Sequence, residues 1–136
     1  MHVVAREEIE QFLDKLEADG ATWREVEAGL WAVRPAGSLD LEIVVNYTPP
    51  VVVLRVKVMD LPKDAASRSK LYLKLLEWNA SDLLHGSYGK HNDTVVLTEA
   101  LELSHLDFEE FEAAYESMTL ALAGHLPELA SYREAR

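Results

Sequence analysis

The chain has 136 residues, no cysteine and a formal net charge of −11 at pH 7. This length matches one domain of ordinary size, and we expect a single domain over residues 1–136. The missing cysteine excludes disulfides, thiolate nucleophiles and cysteine zinc sites. The acidic balance disfavours nucleic acid and anionic membranes as partners, because binding to phosphates depends on lysine and arginine.

Two targeting features are missing from the sequence. The first residues contain no apolar segment of the kind that signal peptides carry. No stretch approaches the roughly 20 apolar residues that a membrane span requires. We therefore expect a cytoplasmic protein.

The first predicted elements are a helix and two short strands. Residues 5–18 predict the helix, because apolar residues recur there at spacings of three and four on one face: Ile9, Phe12, Leu13 and Leu16. Residues 22–33 are rich in β-branched and aromatic residues and predict two strands that turn at Ala28 and Gly29.

The clearest local pattern is a hairpin of residues 39–46 and 51–58 around a turn at residues 47–50. Centring the hairpin on that turn pairs apolar residues on one face: Leu41 with Val56, Ile43 with Leu54, and Val45 with Val52. Opposite charges then pair on the other face: Asp40 with Lys57, and Glu42 with Arg55. Since a slip of one residue would bury these charges, the pattern predicts an antiparallel sheet with one solvent-exposed face.

The second half predicts a helix, a hairpin and a last helix. The helix covers residues 67–83, and Asn79 is expected to satisfy backbone groups near its end. In the hairpin, residues 87–90 pair with residues 94–103 and Leu97 lies opposite Tyr88. Asp107 is a predicted N-cap for the last helix, which Pro127 is expected to bend or end. The order α-β-β-β-β-α-β-β-α predicts an α+β fold with a mostly antiparallel sheet.

Searches for chemistry along the chain find no catalytic constellation. The run Gly86-Ser87-Tyr88-Gly89 lacks the further residues of phosphate-binding loops, and the five histidines show no metal-ligand spacing. We expect no catalytic residue, no cofactor and no metal site. One alternative stays open, a small-ligand or enzymatic site near residues 85–93, where several polar side chains cluster: His85, Tyr88, Lys90, His91 and Asp93.

The charges are unevenly distributed along the chain. No lysine or arginine lies between Lys90 and Arg133, whereas the second predicted helix carries Arg68, Lys70 and Lys74. A solvated helix face and a face for a partner both explain such a pattern. A second alternative is therefore an acidic regulatory subunit of a larger assembly, with the last helix docked on a basic surface.

From residue 71 onward the chain resembles the YbjN-domain family, which shares the fold of the type III secretion chaperones of the Tir-chaperone type. The resemblance is carried by Leu75-Leu76-x-x-Asn79, by Gly86-Ser87-Tyr88-Gly89 and by the run from Asn92 to Leu97. It continues through Leu101-x-Leu103, Leu106-Asp107-x-Glu109-x-Phe111 and His125-Leu126-Pro127-Glu128-Leu129. The first half matches by the order of elements only. The resemblance implies a non-catalytic homodimer that holds an extended segment of another protein.

These observations together predict a non-catalytic, chaperone-like or regulatory protein-binding module. The partner segment is expected to add as a strand to an open sheet edge. Aromatic side chains dominate the binding energy of many interfaces, so four of them are candidate partner-binding residues: Trp23, Trp31, Tyr72 and Trp78.

Overall fold

The computed structural model describes residues 1–37 and 39–134. Its elements in chain order are α1 (Arg6–Ala18), β1 (Thr22–Glu27), β2 (Leu30–Arg34), β3 (Ile43–Thr48), β4 (Val51–Asp60), α2 (Ala65–Ser81), β5 (Ser87–His91), β6 (Thr94–Glu102) and α3 (Phe108–Glu134). The strands form one antiparallel sheet in the order β1-β2-β3-β4-β6-β5. The predicted fold class and element order are confirmed.

One face of the sheet forms the core. Trp31, Val45 and Leu54 are cross-strand neighbours on β2, β3 and β4, and all three are buried. Helices α1 and α3 pack over this face, where the rings of Phe12 and Phe111 lie 5.4 Å apart. Alternate residues such as Arg55 and Lys57 point to the other face and are exposed, as expected for an antiparallel sheet with one wet side.

The register predicted for the β3–β4 hairpin is wrong by two residues. Val56 pairs with Ile43 rather than Leu41, and Leu54 pairs with Val45. The cause is the turn, which uses only Pro49 and Pro50 because Thr48 and the residue after Pro50 already pair in the strands. A shift of two residues preserves the face of every side chain, so the predicted core residues stay in the core.

The two charge pairs predicted for this hairpin do not form. Residues 39–42 precede β3 rather than belonging to it, so their side chains meet other partners. Glu42 pairs with Arg24 at 3.5 Å, and Asp40 pairs with Arg34 at 3.1 Å. Arg55 instead donates from Nε to the hydroxyl of Thr98 at 3.3 Å.

The last helix begins as predicted and continues further than predicted. Asp107 caps it, since its Oδ1 accepts a hydrogen bond from the backbone N–H of Glu110 at 2.8 Å. The expectation that the helix ends at Pro127 is wrong, because α3 continues to its last described turn. Leu122 and Leu129 are fully buried on either side of the proline, and their packing outweighs the one backbone hydrogen bond that proline removes.

Candidate protein-binding surfaces

Strand β5 forms one edge of the sheet, and the side chain of Asn79 occupies its backbone. The Nδ2 of Asn79 donates to the carbonyl oxygen of Tyr88 at 3.1 Å, and the N–H of Tyr88 donates to Asn79 Oδ1 at 2.7 Å. The amide thus bonds to the strand as a neighbouring strand would. The expectation that Asn79 serves the end of its own helix is wrong, because its partners belong to β5.

A buried polar chain fastens the same strand to both neighbouring helices. The hydroxyl of Tyr88 lies 2.7 Å from His125 Nδ1, and His125 Nε2 lies 2.5 Å from Asp82 Oδ2. The imidazole of His125 is 4% exposed and stacks on Trp78 at 3.7 Å. Asp82 ends α2, and His125 belongs to α3, so one imidazole connects β5 to two helices.

The Tyr88–His125–Asp82 chain is suited to holding structure rather than to proton transfer. Burial raises the pKa of Tyr88, and the nearby Asp82 carboxylate raises it further. A phenol with a raised pKa stays protonated near neutral pH, so it acts as a hydrogen-bonding group and not as a base or nucleophile.

The opposite edge of the sheet, β1, is open. All its residues are exposed except Trp23, which is half-buried. Within residues 1–37 and 39–134, no side chain hydrogen-bonds to the backbone of β1. Its pairing with β2 is regular from Thr22 to Glu25, and a bulge separates Glu25 from Glu27. The edge therefore offers a short regular stretch of backbone to a further strand.

The four aromatic residues predicted to bind a partner lie in two separate places. Trp23 and Trp31 occupy the adjacent strands β1 and β2, whereas Tyr72 and Trp78 belong to α2, which packs against β5 at the other end of the sheet. Trp31 has no exposed surface, and its Nε1 donates to Glu10 at 3.1 Å. Trp78 is 7% exposed beneath His125. Trp23 and Tyr72 are half-buried and accessible.

Trp23 carries a further distinguishing feature. Its indole Nε1 is buried and, among the described residues, has no hydrogen-bond partner. An unpaired buried donor is uncommon in folded proteins and costs about 1–3 kcal/mol. The position of the indole on an open strand therefore marks it as an unusual residue of this edge.

The polar cluster of residues 85–93 does not converge on one point. His85 Nδ1 lies 3.4 Å from Glu99 Oε2, and the same oxygen accepts a hydrogen bond from the Gly86 N–H at 2.8 Å. Tyr88 points into the core, whereas Lys90, His91 and Asp93 are exposed. In the described part of the chain, no three histidine, aspartate or glutamate side chains are grouped closely enough to hold a metal ion.

Helix α2 has a second apolar face that sequence reasoning did not separate from the first. Leu71, Leu75 and Trp78 are buried, whereas Leu73 and Leu76 on the opposite side are each 62% exposed. The exposed stripe continues to Ala80. An available signal was the width of the apolar face, since a helix that buries one stripe does not need leucines all round.

The acidic surface extends beyond the last helix. Burial raises the pKa of Glu112 on α3, and the carboxylates of Glu116, Asp19 and Glu109 raise it further. Asp19 follows the end of α1, so this helix brings more negative charge to the same surface. The sequence located the acidity in the second half, and the structure adds α1.

Comparisons with known proteins agree with this fold. The family model CesT_Tir_1 matches residues 3–135. No curated protein matches the chain in sequence. A search of solved structures found a chain of the heterodimeric complex ExoU–SpcU from the type III secretion system of Pseudomonas aeruginosa, with a TM-score of 0.65 and 15% identity over 88% of this chain and 95% of that chain.

Two further structures have the same fold. YbjN from E. coli has a TM-score of 0.64 and 13% identity over 93% of this chain and 96% of that chain. The HopA1–SchA chaperone–effector complex has a TM-score of 0.54 and 11% identity over 94% of this chain and 98% of that chain. The resemblance predicted from the sequence is confirmed. Within the described residues, no helix combines the length and apolar content needed to cross a membrane.

Proposed function

This chain belongs to the CesT_Tir_1 family of type III secretion chaperones, and from that premise we propose a non-catalytic module that holds an extended segment of a partner protein. The chain acts as one domain, as a homodimer and in the cytoplasm. Several structures with the same fold are complexes with protein partners, including ExoU–SpcU and HopA1–SchA. The observation that carries the proposal is the open backbone of β1.

The difference between the two sheet edges supports β1 as the partner's site. A partner strand needs free backbone N–H and C=O groups along an edge. Asn79 takes those of Tyr88 on β5, and α2 packs against that strand. On β1, the described side chains leave the backbone available. A segment of about four residues fits the regular stretch before the bulge.

Trp23 is the anchor that we propose for this edge. It is half-buried on β1, and its unpaired indole N–H gives a partner a donor to bind. Tyr72 is the second accessible aromatic residue, on α2. Trp31 and Trp78 support these sites from within the core and do not need to contact the partner.

The exposed stripe of α2 is the surface that we propose for the homodimer. Leu73, Leu76 and Ala80 present an apolar strip to solvent, and burying it against a second copy removes about 25 cal/mol per Å² of apolar area from water. Two identical strips pack face to face when the helices run antiparallel about a two-fold axis.

The charges beside the stripe are complementary to themselves in that arrangement. Lys70 and Glu77 lie seven residues apart on one flank of the stripe, on opposite sides of Leu73 along the helix. In an antiparallel pair the same flanks of both helices meet, so each lysine lies beside the glutamate of the second copy. The pairing predicts two ion pairs at each interface.

The dimer is tested by sedimentation or light scattering at micromolar concentration. We expect Leu76→Glu and Lys70→Glu to shift the mass to one chain, and Lys70→Glu with Glu77→Lys to restore the dimer. Leu120→Glu is the matched control, because Leu120 is 76% exposed on α3, outside the stripe. A dimer that tolerates Leu76→Glu would contradict the proposed interface.

The partner site is tested by a photo-cross-linking residue on each sheet edge. In the native cell, the residue in place of Val26 on β1 is expected to capture one protein reproducibly. The residue in place of Lys90 on β5 is the control, since both positions are exposed on edge strands. Equal capture of the same protein from both strands would contradict binding at β1.

The acidic surface favours a second candidate, a subunit that docks its acidic helices on a basic protein. Its support is the shared field of Asp19, Glu109, Glu112 and Glu116. Exposed charges are screened over about 8 Å at physiological ionic strength. Capture that disappears in high salt but survives disruption of β1 would favour this candidate.

A further inference from the structure

An apolar groove lies between α3 and the segment that follows β2. Its walls are Pro35, Ala36 and Leu39 on one side and Ala123, Leu126 and Ala130 on the other, and its volume is about 550 Å³. We call it the α3 groove. Small side chains on both walls leave room for a polypeptide backbone, and the two leucines supply apolar contacts.

The two ends of the α3 groove carry opposite charges. Pro35 and Ala36 also line a smaller pocket that contains Asp19 and Glu116, so the acidic surface lies at one end. Arg133 lies at the other end. The field at the acidic end is strong enough to raise the pKa of the neighbouring Glu112, beyond the effect of burial.

The acidic end of the groove adjoins the start of β1. Ala21 lines that end and directly precedes Thr22, the first residue of the strand. Thr22 pairs with Arg34, which directly precedes Pro35 in the groove wall. A polypeptide that leaves the β1 edge at its Thr22 end therefore enters the groove without crossing other elements.

We infer that the partner segment bound at β1 continues into the α3 groove, with a lysine or arginine at the acidic end, apolar side chains along the walls and a carboxylate near Arg133. This inference rests on the proposed function, since it extends the same segment. From Glu116 to Arg133 the helix rises about 25 Å, which about eight extended residues span. The recognised segment is thus a strand of about four residues followed by about eight more.

The complementary charges decide which segment fits. A segment with acidic residues at the β1 end would meet Asp19 and Glu116 and be repelled, and a purely apolar segment would leave both carboxylates and Arg133 unpaired at the groove ends. The groove therefore selects a direction as well as a composition.

The test uses the whole chain with photo-cross-linking residues in place of Val26 on β1 and Ala123 in the groove, both exposed positions. Mass spectrometry of the adducts identifies the partner residues that each position reaches. We expect both positions to reach the same partner polypeptide, at sites separated by roughly 5–15 residues, with a basic residue between them.

Charge reversal supplies the second arm. Asp19→Lys with Glu116→Lys is expected to reduce the Ala123 adduct about tenfold while leaving the Val26 adduct in place. The matched control is Glu102→Lys with Glu110→Lys, which changes the net charge equally at exposed sites outside the groove. Thermal unfolding of each variant verifies that the fold is retained.

The outcomes separate the inference from the proposed function. A Val26 adduct without an Ala123 adduct, or an Ala123 adduct on a different protein, overturns the continuation into the groove and leaves the β1 site standing. An Ala123 adduct that resists reversal of the acidic end also overturns it. Failure of the Val26 adduct to exceed that of Lys90 overturns the proposed function itself.

Discussion

At one edge of the sheet, the backbone of Tyr88 on β5 is bonded to Asn79, and its side chain is fastened through His125 to Asp82. At the other edge, β1 keeps its backbone available and carries a tryptophan with an unpaired indole N–H. Both strands are short, and both end the same antiparallel sheet. The difference teaches that edge exposure is controlled by side chains on neighbouring helices, and it indicates where a partner strand can add.

The largest expected effect comes from removing the support beneath the closed edge. Trp78→Ala deletes a buried ring that stacks on His125 and lies 5.7 Å from the ring of Tyr88. Core truncations of this size lower the free energy of unfolding by about 3–5 kcal/mol. Urea denaturation measures the loss, and Tyr72→Ala on the same helix is the control, since a half-buried residue should cost less.

Opening the closed edge directly gives a smaller effect. Asn79→Ala leaves the N–H and carbonyl of Tyr88 without their partner, which should destabilise the protein by about 1–3 kcal/mol. Hydrogen exchange of the Tyr88 amide should become faster. Lys70→Ala on the exposed side of α2 is the control, and equal exchange in both variants would show that Asn79 does not close the edge.

Removing one hydroxyl from the buried chain is expected to cost about 1 kcal/mol. Tyr88→Phe keeps the ring against Trp78 and leaves His125 Nδ1 without the phenol, 2.7 Å away in the native chain. Denaturant unfolding with Tyr47→Phe as the comparison variant measures it, because Tyr47 also donates to one buried-side acceptor, the Val4 carbonyl. No measurable loss in Tyr88→Phe would mean that β5 is held by Asn79 and packing alone.

The smallest effect is expected at the open edge. Trp23→Phe removes an indole N–H that has no partner, so the free energy of unfolding should be unchanged or rise by a few tenths of a kcal/mol. Partner capture through β1 should nevertheless fall, because the donor that we assign to the partner is lost. A clear loss of stability would show that the indole N–H is paired in the native protein.

The sequence predicted the elements of both edges but not their difference. Periodicity and turn residues located β1, β5 and the pairing of Tyr88 with Leu97, because these signals are local. The two-residue error at Pro49 and Pro50 followed from assuming a longer turn. Such a shift keeps every side chain on its face, so hydrophobic alternation could not reveal it.

The candidate sites depended on contacts that no local pattern encodes. Asn79 and Tyr88 are nine residues apart, and Tyr88 and His125 are 37 apart, so their bonds appear only once the helices are packed. Aromatic content alone could not distinguish Trp31 in the core from Trp23 at the edge, since both lie on predicted strands. Burial depends on the order of strands in the sheet, which pairs β2 on both sides and β1 on one.

Hydrogen exchange on the two edges, with and without the partner peptide identified through Val26, tests the central claim most directly. In the free chain, the Tyr88 amide should be protected by Asn79, and amides of β1 that do not bond to β2 should exchange rapidly. Adding the peptide should slow exchange in residues 22–25 and leave β5 unchanged. Slowed exchange on β5 with none on β1 would contradict the account.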